Sequence, residues 1–214
     1  MSGDPHGGQP VLTRGRPLGE GRAAMVMIHG RNAGPANILD LATPLEHPEF
    51  TYLAPAAGGG TWYPNSFMAA TESNEPGITS GLAAIHRVVE MVAGKGIPRS
   101  RITLLGFSQG ACLASTYAAR NAERFGGVIV YSGGLIGPPG TIWEFEGNFA
   151  GTPVFLGCSD VDAHVPAARV RESADVFRRM GAEVTERIYP AMGHLVNLDE
   201  LNFARTLMAG VAAG

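Results

Sequence analysis

The segment ITLLGFSQGACLASTYAAR, Ile102 to Arg120, constrains this chain more than any other. A short apolar run is followed by Gly106-x-Ser108-x-Gly110 and then by a stretch of good helix formers, so the order is strand, sharp turn, helix. In a turn of this kind the backbone folds so tightly beside the serine that the residues two before and two after it must be small. Glycine gives both the close approach and the unusual dihedrals. Gly-rich turns with an incidental serine arise by chance, so the flanks carry the inference. Leu104, Leu105 and Phe107 continue a β-type run from Ile102, and Leu113, Ala114, Tyr117 and Ala118 share one helical face.

The rest of the chain repeats that alternation. Ala23 to Ile28 is continuously apolar, the pattern of a strand covered on both faces. Phe50 to Ala54, Gly127 to Tyr131 and Thr152 to Gly157 read as further strands, and Glu183 to Tyr189 alternates more, as a strand nearer an edge does. Helices are expected from Pro35, from Gly81 to Ala93, from Pro166 with Gly181 beyond its end, and after a capping Asn197 with Asp199 and Glu200 in the first turn. The fold class is therefore α/β: one mostly parallel sheet with helices on both faces. In such sheets ligands bind beyond the carboxyl ends of the strands. His29 to Gly34, Ser108, Asp160 to His164, and His194 all fall there.

Two long, Gly- and Pro-punctuated segments interrupt the alternation. Residues 56–80 carry Trp62, Tyr63 and Phe67, and residues 132–151 carry Trp143 and Phe145. Loops of this length are usually functional, so the first is read as a wall or lid of a pocket, and the aromatic residues of the second as pocket lining or simple cover.

With 214 residues and no compositional break, one core is expected over residues 22–214, without a large cap domain. Residues 1–21, rich in Gly and Pro and lacking the apolar core of a signal peptide, are expected to be a flexible lead-in. A net charge of −3 with no Lys/Arg run argues against an electrostatic nucleic-acid partner. No apolar run approaches the roughly 20 residues of a membrane span. Cys112 and Cys158 form neither a disulfide framework nor a zinc spacing, which fits a reduced, cytoplasmic setting.

A serine hydroxyl becomes nucleophilic when a histidine held by a carboxylate takes its proton. This chain offers Ser108, then Asp162 in GCSDVDAHVP, then His194 in YPAMGHLVN. Together with HGRNAG, TWYPNSF, GFSQGA, the D-x-x-V-P segment from Asp162 to Pro166, and the Gly193-His194 pair, this order resembles the carboxylesterase, lysophospholipase and acyl-protein thioesterase branch of the α/β-hydrolases. The resemblance runs from about residue 23 to the end of the chain.

It implies Ser108 as nucleophile, His194 as general base and then acid, and Asp162 as the orienting carboxylate. Asp160 is the competing acid and is otherwise a solvated turn residue. Backbone N–H groups of Gln109 and Arg31 are the implied oxyanion donors. The Gln109 side chain would brace a loop, and the Arg31 guanidinium would face solvent or meet an anionic part of a substrate. Trp62, Tyr63, Phe67, Trp143 and His164 are the expected pocket residues, His29 a structural residue beneath the oxyanion turn, and Cys112 a small packing residue. No metal or cofactor is implied. The expected activity is hydrolysis of short- to medium-chain carboxylic esters, small-molecule substrates, through an acyl-enzyme. Lysophospholipids and acyl thioesters are the alternatives, and a non-catalytic ligand-binding protein on the same fold is a more remote one. A monomer and a dimer both fit.

Overall fold

A computed structural model describes residues 3–214. Seven strands form one sheet in the order β1-β3-β2-β4-β5-β6-β7. They are β1 (Val11–Gly15), β2 (Ala23–Ile28), β3 (Phe50–Pro55), β4 (Ile102–Phe107), β5 (Gly127–Tyr131), β6 (Pro153–Ser159) and β7 (Glu183–Tyr189). All neighbouring pairs are parallel except β1 with β3. The helices are α1 (Pro35–Asp40), α2 (Gly77–Ala93), α3 (Gln109–Arg120), α4 (Ala167–Arg179) and α5 (Leu198–Ala213).

Strand alternation divides the core into two layers. Ala24, Val26 and Ile28 of β2 point to the side where α2, α3 and α4 pack through Val88, Leu113 and Phe177. Ala23, Met25 and Met27 point to the other, covered by α1 and α5 through Ile38, Leu39 and Met208. Both faces being covered is why β2 reads as unbroken apolarity. β7 pairs only with β6 and forms the edge that its partial alternation suggested.

Two elements differ from the sequence expectation. The expected flexible lead-in carries β1, and His6 within it is buried. Four of the five β1 residues are exposed, so the strand holds its place by backbone pairing with β3 and leaves almost no apolar signature. Helix α2 begins at Gly77, ahead of the expected Gly81. A Cβ at Gly77 would lie 2.9 Å from Tyr63 Cα, so glycine there lets the helix start press on the aromatic loop.

Candidate active site

Strand β4 runs into α3 through Ser108, whose dihedrals (φ 56°, ψ −121°) lie in a sparsely populated region. Such a conformation costs on the order of 1–3 kcal/mol and lifts the side chain clear of the backbone. Close packing enforces it. A Cβ on Gly106 would sit 2.6 Å from Ala111 N, and one on Gly110 would sit 2.5 Å from His29 O. The turn is further held by Ser108 N–H donating to Tyr131 O at 2.9 Å.

The loops after β6 and β7 bring two more side chains to this serine. His194 Nε2 lies 2.8 Å from Ser108 Oγ, and His194 Nδ1 lies 2.7 Å from Asp162 Oδ2. A carboxylate accepts only, so Nδ1 carries the proton and Nε2 is the acceptor facing the hydroxyl. Asp162 is fully buried as a side chain. Burial by itself would raise its pKa, but the His194 hydrogen bond, with backbone N–H donors from His164 (2.8 Å) and Val165 (3.0 Å), outweighs it and holds the carboxyl below its ordinary range. Asp160 turns away and accepts from Ala191 N–H at 2.8 Å.

A cavity of about 550 Å³ opens over Ser108. Arg31 and Gln109 lie beside it, and among the described residues neither backbone N–H donates to another protein group. Tyr63, Phe67 and His164 line the cavity as expected positions. Cys112 and Val165 complete an apolar floor that the sequence reading did not assign to the pocket. Burial pushes the Cys112 thiol up to about 12, so it presents a neutral, weakly polar surface.

Trp62 and Trp143 are not on the cavity wall. Trp62 is fully buried beside the turn after β2, donating its indole N–H to His29 O at 2.9 Å. Trp143 packs 4.9 Å from the Arg169 guanidinium, which also faces Phe67 at 5.7 Å. An aromatic residue in a loop reads as wall or as support with equal ease; only the fold decides.

The supporting shell is extensive. Gln109 Oε1 accepts from Trp62 N–H (2.9 Å) and Nε2 donates to Tyr63 O (2.8 Å), bracing the loop as the sequence reading expected. The Arg31 guanidinium, expected to face solvent, is exposed but clamps Pro64 O (2.8 Å) and Asn65 O (2.6 Å). His29 Nε2 accepts from Ala57 N–H at 3.1 Å, which leaves its Nδ1 proton for Gly30 O at 2.8 Å. Burial lowers the pKa of His29 and keeps it in this neutral, structural form. Arg169, which no motif marks, is 1% exposed and donates to Leu135 O (2.9 Å) and Gly137 O (2.7 Å). Its one sequence signal is position: it lies four and seven residues before Ser173 and Val176 on the buried stripe of α4. Among the described residues no group of three His, Cys, Asp or Glu side chains is arranged to hold a metal ion. No helix there is long and apolar enough to cross a membrane.

A parallel sheet with a serine on a strained strand-to-helix turn, an acid after β6 and a histidine after β7 defines an α/β-hydrolase fold. Residues 19–211 match the phospholipase/carboxylesterase family, and the chain belongs to it. A phospholipase/carboxylesterase structure from Dyadobacter fermentans superposes with a TM-score of 0.90 at 39% identity, covering 94% of this chain and 96% of that one. Acyl-protein thioesterase 1 of Saccharomyces cerevisiae is 28% identical over 73% of this chain and 74% of its own length. The Neurospora crassa protein of the same name is 29% identical over 60% of this chain, a match spanning about half (54%) of that relative. The Bacillus cereus carboxylesterase, at 17% identity and TM-score 0.72 over 96% of this chain and 95% of that one, shares the fold.

Proposed function

We propose that the protein is a serine hydrolase that cleaves short- to medium-chain carboxylic esters through an acyl-enzyme, with Ser108 as nucleophile, His194 as base and acid, and Asp162 as the orienting carboxylate. The observation that carries this reading is the unbroken chain from Ser108 Oγ through His194 (2.8 Å) to Asp162 (2.7 Å) at the mouth of the cavity.

Ser108 Oγ adds to the ester carbonyl carbon while its proton passes to His194 Nε2. The carbonyl oxygen gains negative charge, and Arg31 and Gln109 N–H groups are assigned to receive it; losing one such donor costs roughly 2.7–4 kcal/mol. Collapse of the tetrahedral adduct breaks the bond to the alcohol oxygen, which takes the proton from Nε2. Water then adds to the acyl carbon, again giving a proton to Nε2, and expulsion of Ser108 Oγ returns that proton and releases the carboxylic acid. Asp162, held ionised, keeps the imidazole in the required tautomer and stabilises its charged form.

The apolar lining from Tyr63, Phe67, Cys112 and Val165 around a cavity of about 550 Å³ supports short to medium acyl groups. Acyl thioesters are the second reading, supported by the thioesterase relatives, and they would react by the same steps. Hydrolysis of p-nitrophenyl esters from acetate to palmitate, beside an S-acyl peptide, tests both. Activity peaking at short or medium esters and abolished in Ser108→Ala is the expected result. A preference for the S-acyl peptide would favour the second reading, and a folded protein inactive on all of them would defeat both.

A further inference from the structure

We propose that Ser159 is a positioning residue that ties the acid-bearing turn to the histidine-bearing turn and so sets the geometry of the Asp162–His194 pair; this rests on the triad reading above. Ser159 ends β6 and is 1% exposed. Its Oγ accepts three backbone N–H groups: Val161 at 3.2 Å, Met192 at 3.1 Å and Gly193 at 3.0 Å. Val161 immediately precedes Asp162, and Met192 and Gly193 immediately precede His194. One oxygen therefore fixes the chain just upstream of both members of the pair.

The histidine turn needs that support. It belongs to no helix or strand, and both Ala191 (φ 51°) and Gly193 (φ 77°) hold left-handed conformations. The His194 ring meets Ser108 and Asp162 by hydrogen bonds and the Phe107 and His164 rings at 5.0 and 4.8 Å. Asp160 adds a second tie, since its Oδ1 accepts from Ala191 N–H at 2.8 Å while its own N–H donates to Tyr189 O at 3.0 Å. Removing the hydroxyl leaves the N–H groups of Met192 and Gly193 without their acceptor and frees the turn to shift. A displacement of about 1 Å at a catalytic group can cost roughly 100-fold in rate. Of the cavity lining, Tyr63 and Phe67 lie on the loop after β3, away from the tied turns, and only His164 and Val165 follow Asp162, so most of the loss belongs in kcat.

The test compares wild type, Ser159→Ala, Ser159→Thr and Asp160→Ala in steady-state hydrolysis of p-nitrophenyl butyrate, with thermal unfolding to check folding. A second readout, independent of turnover, is the downfield proton resonance of His194 Nδ1–H, assigned by its absence in His194→Ala. The expected result for Ser159→Ala is a roughly 10- to 100-fold fall in kcat, KM within about twofold of wild type, and a broadened or shifted resonance. Threonine, which keeps the oxygen, restores most of the rate. If the alanine variant does not fold, Asp160→Ala decides, with the same kcat-selective loss expected. Unchanged kcat and an unchanged resonance in the folded variants would overturn the proposal. Loss of the triad reading looks different: the resonance is present and responds to Ser159→Ala, yet the wild type turns over no ester.

Discussion

Trp62 shows most directly how far single residues can be read. As a wall residue it would set chain-length preference; as the buried donor to His29 O it supports the turn that carries Gly30 and Arg31. Trp62→Phe removes one buried hydrogen bond, at a cost of about 1–3 kcal/mol in unfolding free energy by urea titration. Activity is then expected to fall by the same factor on every ester, since the indole does not line the cavity. A changed chain-length optimum would return Trp62 to the pocket. Ser108, Asp162 and His194 were legible because each follows a strand end in a fixed order, and chemistry limits which residue types can serve there. Ser159, Arg169 and His6 were not. Their roles come from which backbone groups the fold presents to them, and no local pattern encodes that. His6 illustrates the point: its ring bonds Trp62 O at 2.8 Å and Gly58 N–H at 3.0 Å, 56 and 52 residues away in sequence.

Among the elements, α5 carries a titration the sequence half revealed. Asn197 caps it, as the sequence suggested, by accepting from Glu200 N–H at 2.9 Å, and Glu200 Oε2 returns the bond to Asn197 N–H at 2.8 Å. The acidic first turn was legible as a dipole partner, yet Glu200 is fully buried, with Oε1 lacking a partner. Burial pushes its carboxyl up to about 7. Between the ordinary carboxylate range and that value the folded chain holds a proton that the unfolded chain has released. Stability from this group is therefore highest at acid pH and falls as pH rises toward 7, by on the order of 3 kcal/mol in total. Glu200→Gln keeps the capping oxygen and removes the charge. Melting curves at pH 5 and pH 8 are expected to converge in this variant relative to wild type; an unchanged gap between them would contradict the assignment.

For the molecule as a whole, the two-layer α/β order was legible because five strands, β2 to β6, are buried runs bounded by Gly, Pro and polar turns, and β7 alternates as an edge strand does. The seventh, β1, was not, since its pairing is with backbone and all its side chains but Val11 face solvent. The sheet sets the three proposed catalytic groups along one carboxyl-end edge: β4 feeds Ser108, β6, two strands away, feeds Asp162, and the adjacent β7 feeds His194. The proposal that this arrangement activates Ser108 is open to a direct measurement. Labelling with a fluorophosphonate, followed by peptide mass mapping, is expected to place one adduct on Ser108 in wild type, with the rate collapsing in His194→Ala. A folded wild type that remains unlabelled, or that is labelled at another residue, would contradict the account.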